Sequence, residues 1–488
     1  MYGARPGLEA CDRSSVEDDL SSPRVAYFFY YPLVLASSAL MLWIFPTDRM
    51  TGISSAIATV VSCLMMWDFL FTGRVIRFST ICAMGLTIGY GAGTFNSWLT
   101  IPRGNFPLAS VIGQTVPELA NGVAAALMAC AVLMVLGEFL EKPVWTVASK
   151  LELTDGVKRV LLLNSAILAL GAAVGMFHQG GLKTLGAHHA GFTAEMVGFL
   201  VQPTVIVATI AFLVERDKMK RYLFGAIMVF LWLITLTQGR MTLVYPALVT
   251  VGLARYAGYR WDHVSWSKVL VLAAGLFFLI FGVLTYQLLR IAGGRVSSEN
   301  IGAEVNQAQR WAAKGEAWRI ATSSTVQNVQ GRTLIVSFLS DLLYQTKTHT
   351  PALGKDLLLQ IEIDIPSVID RNKPALAEEN IASQTFGLFY TDQPNSVFTA
   401  GALDFGFLGM LVYPIAITLL FSLVLRLGAT YLPFELFLYG LAAFVARTMG
   451  PELQITAYFE TIRNFIVFSV LIYAVLRLPR FRRSAEGQ

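Results

Sequence analysis

The residues of this sequence best suited to chemistry are arginines set among apolar runs and a carboxylate set among glycines. In Thr237-Gln-Gly-Arg-Met241 a glycine precedes Arg240 between two apolar stretches. Glycine permits a sharp turn, and a guanidinium can grip a diphosphate through several donors at once. Arg290 and Arg295 flank Gly293 and Gly294 after a later apolar run, and Arg447 lies in Phe444-Val-Ala-Arg-Thr-Met-Gly450. Each could instead snorkel to a membrane interface. Arg240 fits that alternative worst, because an idle charge at membrane depth is costly.

Asp404 is the carboxylate that stands apart. It opens an apolar run in Gly401-Ala-Leu-Asp-Phe-Gly-Phe-Leu-Gly409, where it could serve as an acid/base or orient an acceptor. Asp341, Asp356, Glu362, Asp364, Asp370, Glu378, Glu379 and Asp392 precede it in a polar stretch, where most are expected to be solvated. Asp68 and Glu138 fall near span ends and reach water or, less simply, relay protons. His178, His188 and His189 cluster without a carboxylate or cysteine at metal-ligand spacing, so no metal is expected. Phosphate-loop, dinucleotide-binding and Gly-x-Ser-x-Gly motifs are absent, so no cofactor or nucleotide site is expected. Nothing suggests nucleic acid.

The elements that must position these groups belong to a bilayer. Of 488 residues 55% are hydrophobic and 14% charged, and mean hydropathy is +0.58, far from a soluble domain. Apolar runs of about twenty residues recur, the length that crosses about 30 Å of hydrocarbon. They predict an all-α polytopic membrane protein with about twelve transmembrane helices and one long, partly helical extracytoplasmic loop. The expected layout is a cytoplasmic tail over 1–24, nine helices over 25–289, the loop over 290–398, three helices over 399–478 and a short tail over 479–488. The first tail lacks the basic start and short apolar core of a signal peptide. Within the loop, 303–320 and 333–345 have helical spacing, with Trp311, Trp318, Leu334, Phe338, Leu342 and Leu343 as candidate buried positions on helices lying along the membrane surface. Cys11 is in the tail and Cys63, Cys82 and Cys130 are in apolar runs, so no disulfide framework is implied.

Orientation depends on residues 222–254, too many for one span and few for two. Two short helices meeting at Gln238-Gly239-Arg240 place more than half of the 37 Lys and Arg, including Arg480, Arg482 and Arg483, on the side of both termini. Basic residues favour the cytoplasmic side, so both termini are expected there and the loop outside.

The layout, the Gln-Gly-Arg turn and the segment leading through Gly354-Lys-Asp, Ile365-Pro366 and Lys373-Pro374 into Ser396 and Asp404-Phe-Gly-Phe-Leu-Gly409 resemble the Wzy-type oligosaccharide repeat-unit polymerases of bacterial surface polysaccharides. The motif likeness covers about 120 residues, by the reach of those short matches along the chain. It implies a nucleotide-sugar-independent glycosyltransferase of the bacterial inner membrane, joining undecaprenyl-diphosphate-linked oligosaccharide repeats at the outer face. A chain-length regulator and a flippase are implied partners. Arg240, Arg290, Arg295 and Arg447 would then hold the diphosphate, and Asp404 or another loop carboxylate would act as the base or orient the acceptor. An O-antigen ligase shares the layout, but the long segment has only His349 in place of a histidine-bearing loop motif. A lipid-linked oligosaccharide flippase or transporter has little reason for the long folded segment, and a structural scaffold is the remaining alternative.

Overall fold

A computed structural model describes residues 24–72, 77–100, 115–142, 153–174, 192–257 apart from Gly239, 309–323, 334–365, 378–387 and 395–476, with scattered positions from 259 to 306 and at 369. Regular structure among the described residues is helical throughout. We number the helices α1 (Arg24–Ile44), α2 (Asp48–Trp67), α3 (Phe78–Thr87), α4 (Gly93–Thr100), α5 (Val116–Leu140), α6 (Asp155–Ala173), α7 (Phe192–Val214), α8 (Lys218–Gln238), α9 (Arg240–Tyr256), α10 (Leu334–Gln345), α11 (Lys355–Asp364), α12 (Glu378–Phe386), α13 (Val397–Tyr431), α14 (Phe434–Thr448) and α15 (Ile455–Leu476).

Six described helices are long and apolar enough to cross a membrane: Asp48–Phe71, Val116–Leu140, Asp155–Ala173, Met196–Val214, Val397–Tyr431 and Ile455–Leu476. Tyr30–Ile44 and Leu243–Tyr256 are shorter apolar helices. By length and apolarity this is a polytopic helical membrane protein. The twelve runs of the sequence are not all present as such. Run 75–95 is one helical path from α3 through a π-helical turn at Ile88–Ala92 into α4, and run 268–289 lies outside the described residues except for scattered positions.

Local sequence explains where the long helices start. Thr115 opens α5 with a capping box, its N–H and hydroxyl donating to Glu118 Oε2 at 2.6 and 2.9 Å, and Pro117 in the first turn lacks only an N–H that would have had no partner. The Ala, Leu and Met residues that follow are good helix formers, and the 25 residues of the helix span about 38 Å, more than the hydrocarbon layer. Four side chains at most 2% exposed, Phe78, Phe421, Phe444 and Phe465, then lock α3, α13, α14 and α15 together. Phe421 stacks on Phe444 with centroids 4.4 Å apart, Phe78 meets Phe421 edge-on at 5.8 Å, and Phe465 meets Phe444 at 5.3 Å.

Polar contacts define one end of the bundle, the basal end. Glu141, just past α5, accepts the N–H groups of Phe78 and Ser79 at 2.6 and 2.8 Å. Arg77 pairs with Glu138, and Lys158 in α6 pairs with Glu215 just past α7 at 2.7 Å. Asp68 accepts the Tyr31 hydroxyl at 2.6 Å, so Asp68 and Glu138 both have partners.

This end also fixes the directions of α8 and α9. Helix α8 leaves the basal end at Lys218, next to Glu215, and α9 has returned there by Gly252, which packs on the Phe69 ring. The chain therefore reverses between them, as the two-helix reading of 222–254 required. Arg240 is the first residue of α9 and lies at the opposite, distal end.

The expectation of surface-lying helices needs correction for α10. Ile335, Val336, Phe338, Leu339 and Leu342 are at most 1% exposed, and the helix packs against α5 and α13. Its Ser340 hydroxyl donates to the Glu118 carbonyl at 2.7 Å. Trp318, expected to be buried, is 63% exposed.

Replacing Glu141 with alanine leaves the Phe78 and Ser79 N–H groups without their acceptor. The expected loss is about 1–3 kcal/mol, seen as a lower unfolding temperature of the detergent-solubilised protein. Glu141→Gln should retain part of it, and equal melting of all three proteins would show that this cap does not stabilise the bundle.

Candidate functional site

At the distal end the start of α13 does something a membrane helix rarely does. Ser396 caps it, accepting from Phe398 N–H at 3.1 Å and Thr399 N–H at 3.3 Å, while the Thr399 hydroxyl oxygen accepts the Ser396 N–H at 2.7 Å. The Tyr90 hydroxyl meets Ser396 Oγ at 2.6 Å. After eight buried residues the helix breaks: Phe405 has φ −140°, ψ 19°, and Gly406 has φ 62°, ψ −145°. The latter backbone strongly favours glycine. The chain folds back so tightly that a Cβ on Gly401 would meet the Gly409 carbonyl oxygen at 2.3 Å. Residues 397–404 thus form a buried half-helix against the long membrane helix that follows. Broken backbone at such depth is tolerated where protein surrounds it, and it commonly marks a binding site.

Asp404 is the last residue before the break and is fully buried. Its Oδ1 accepts the Asp356 N–H at 3.0 Å and its Oδ2 the Leu357 N–H at 2.9 Å, so it caps α11 from 47 residues away in sequence. The Tyr413 hydroxyl donates to the same Oδ2 at 2.7 Å. Backbone bonds from Ala352 N–H to Leu403 O and from Leu353 N–H to Asp404 O, both 2.9 Å, complete the seam. The structure places Asp404 as a residue that positions α11. Both its oxygens are engaged.

The carboxylates with open oxygens lie beside it. Asp356 is buried, with Oδ1 accepting from Gln360 Nε2 at 3.0 Å and Oδ2 unpartnered. Burial, then the charges of Asp404 and Glu379, push its carboxyl up to about 7. Glu378 is also buried, and neither of its oxygens has a partner among the described residues. The nearby Thr399 hydroxyl gives its proton to the Ser396 carbonyl at 2.8 Å. Burial, and next the charge of Asp356, hold the Glu378 carboxyl well above the ordinary range. Glu379 accepts from Asn395 Nδ2 at 3.1 Å. The arrangement is a buried acidic group that retains protons near neutrality and can accept or return one.

This corrects the expectation that the acidic residues before Asp404 are mostly solvated: Asp341, Asp356, Glu378 and Glu379 are all at most 9% exposed. The carboxylates that sequence reasoning undervalued are Asp356 and Glu378. The adjacent Glu378-Glu379 pair four residues after Pro374 gave no sign of burial, since acidic residues are seldom fully buried.

Of the predicted cations, Arg240 shares the distal end with this group, its side chain lying outside what the structure describes. Arg447 is committed to α15, its Nε donating to Thr461 Oγ1 at 3.0 Å and a terminal nitrogen lying 3.9 Å from Glu460. Arg290, Arg295 and the three-histidine cluster lie outside the described residues. Among the described residues no three His, Cys, Asp or Glu side chains converge to hold a metal ion. Cys63, Cys82 and Cys130 are free.

The chain matches no known protein family, no curated protein and no solved structure. Its site is therefore read from its own geometry.

A carboxyl raised by folding stabilises the protein while protonated. That contribution is fully present below the ordinary value of 3.8 and is lost as pH rises through about 7. Asp356→Asn keeps a partner for Gln360 and removes the ionisation. The variant should therefore melt several degrees higher than the parent at about pH 8 and converge with it at about pH 4. Parallel melting curves across that range would mean Asp356 does not titrate there.

Proposed function

We propose that this protein polymerises lipid-diphosphate-linked oligosaccharide repeats at the outer face of a bacterial inner membrane. The observation that supports it most is the distal end: a broken, buried half-helix with proton-retaining carboxylates shares it with Arg240. The resemblance of 354–409 to repeat-unit polymerases points to the same end, because the Gly354-Lys-Asp and Asp404-Phe-Gly matches are the two halves of the Asp404 seam.

In that reaction the bond from the donor sugar C1 to its diphosphate oxygen breaks. A hydroxyl oxygen of the acceptor repeat forms the new bond to C1. The diphosphate leaves with its negative charge, which Arg240 holds, and cations placed where charge develops are an effective form of catalysis. Arg290 and Arg295 join Arg240 in this proposal. The hydroxyl proton passes to the Asp356–Glu378 group, whose proton affinity suits a base working near pH 7. Asp404 positions that group, and Arg447 braces α14 on α15.

Orientation follows from charge. The basal end carries Arg77, Lys142, Lys158, Arg216, Lys218, Lys220 and Arg221, and such clusters face the cytoplasm. The distal end then faces outward. A membrane-impermeant thiol reagent should label Lys355→Cys in intact cells, and labelling only after permeabilisation would reverse the orientation.

Deleting the chain should leave a surface glycan of single capped repeats with no long chains on a gel. An unchanged ladder would overturn the proposal. Arg240→Ala, at normal protein level, should reproduce the deletion, and normal chain lengths there would remove Arg240 from the site.

A further inference from the structure

Polar contacts pin α11 to α15. At the end of α11, Arg463 Nη1 donates to the Asp364 carbonyl at 2.7 Å and lies 3.2 Å from Asp364 Oδ1. One turn earlier the Thr456 hydroxyl donates to Gln360 Oε1, and Gln360 Nε2 in turn donates to Asp356 Oδ1 at 3.0 Å. Asp356, Gln360 and Asp364 recur at i, i+4 and i+8 and so share one stripe of α11, while Thr456 and Arg463, at i and i+7, share a stripe of α15. With Asp404 at its first turn and Arg463 at its last, α11 has an anion and a cation at the ends its dipole favours.

The Thr456 contact decides which way the Gln360 amide faces. Gln360 is 2% exposed and Asp356 fully buried, so neither can turn to water. An amide offers one accepting oxygen and one donating NH2, and its neighbours assign them. Because Thr456 donates to the oxygen, the NH2 is left for Asp356. Turned over, the amide would set its oxygen against Asp356 Oδ1, and two acceptors would meet whenever the carboxyl is ionised. The Gln360 bond favours the ionised form and offsets part of the burial that raises the Asp356 carboxyl. The other charged groups around Asp356 do not replace it. Asp404 and Glu379 raise the carboxyl further, and Glu378 is acidic as well. Tyr413 donates to Asp404, Arg463 holds Asp364, and Glu460 faces Arg447 at 3.9 Å. On α11 itself Lys355 and Glu362 are exposed. Among the described residues Asp356 Oδ2 has no hydrogen-bond partner.

We propose that Thr456 and Gln360 are positioning residues for proton transfer: Thr456 fixes the Gln360 amide so that its NH2 holds Asp356 Oδ1, and Oδ2 is the atom that takes the proton. The positioning stands on these contacts alone. Its place in catalysis rests on the polymerase reading, in which the O–H bond of the acceptor hydroxyl breaks and its proton ends on Oδ2. A helix that crosses the membrane, α15, then helps to set the proton affinity of a carboxyl it does not touch.

The test is thermal unfolding of the full chain in nanodiscs across a range of pH, each protein compared with its Asp356→Asn counterpart. For the parent the melting difference should grow as pH rises above 3.8 and level off at about 7, where the folded carboxyl has ionised. Thr456→Val removes the hydroxyl and Gln360→Leu the amide. In both, the plateau should come about one pH unit higher, a roughly tenfold gain in proton affinity, about the effect of one hydrogen bond to a charged group. Thr456→Ser keeps the hydroxyl and should restore the parent's plateau. A purely structural role would lower the unfolding temperature and leave the plateau in place. Either of the first two variants decides the point if the other does not fold. A plateau unmoved in Thr456→Val or in Gln360→Leu, equally displaced in Thr456→Ser, or absent from the parent overturns the proposal. If the plateaus move as expected but deleting the chain leaves the glycan ladder unchanged, the positioning stands and the polymerase reading fails. If deletion removes the long chains but the plateau does not move, the polymerase reading stands and the positioning fails.

Discussion

The distal end depends on one carboxylate receiving the first N–H groups of a helix remote from it in sequence. Asp404 lies at the end of a half-helix, where the chain's own hydrogen bonding stops, and α11 begins with N–H groups that have no acceptor within the helix. Each solves the other's difficulty. Hydrogen bonds to a charged group contribute about 1.5–3 kcal/mol each, and the α11 dipole favours an anion at that position. Without the Asp404 carboxylate, the break at Phe405–Gly406, the seating of α11 and the Tyr413 contact would all lose their common anchor.

Using a buried charge in this way has an electrostatic consequence nearby. Once the Asp404 carboxylate is held by two N–H groups and a phenol, further negative charge in the same low-dielectric space is disfavoured. Asp356 supplies one of those N–H groups, so its side chain cannot move far from Asp404. Glu378 is buried in the same neighbourhood, and neither of its oxygens has a hydrogen-bond partner among the described residues. Burial is the main reason the Asp356 and Glu378 carboxyls hold a proton more tightly than ordinary carboxyls, and neighbouring acidic charge adds to it. Asp404 thus sets the geometry of the distal end, and burial sets its proton affinity.

The fold and the site were legible in the sequence to different depths. Helices and their apolar runs were readable because periodicity and length are local properties, and the division of 222–254 into two helices was readable because its length suits neither one span nor two full ones. The fold-back was not. Gly401 and Gly409 fit an ordinary membrane helix with small residues, and only their contact reveals the break. Nor could spacing reveal the Asp404 cap, since its partners lie 48 and 47 residues upstream. A general rule, that acidic residues in a polar stretch are solvated, hid Asp356 and Glu378. It fails here because α11 and α12 pack together, with α11 against α13 and α15 as well.

The basal end uses the same device with a different outcome. Glu141 caps α3 through Phe78 and Ser79 as Asp404 caps α11. Around Glu141, however, Arg77 and Glu138 form an ion pair, and Lys158 pairs with Glu215, so the charges there are balanced and the contacts serve to hold helices together. At the distal end the charges nearest the cap are acidic and incompletely partnered. The chain thus solves one mechanical problem twice, and at the distal end the cap stands beside carboxyl oxygens of Asp356 and Glu378 that have no partner among the described residues. That asymmetry, more than any single residue, is what the proposed chemistry rests on at the end where Asp404, Asp356, Glu378 and Arg240 lie.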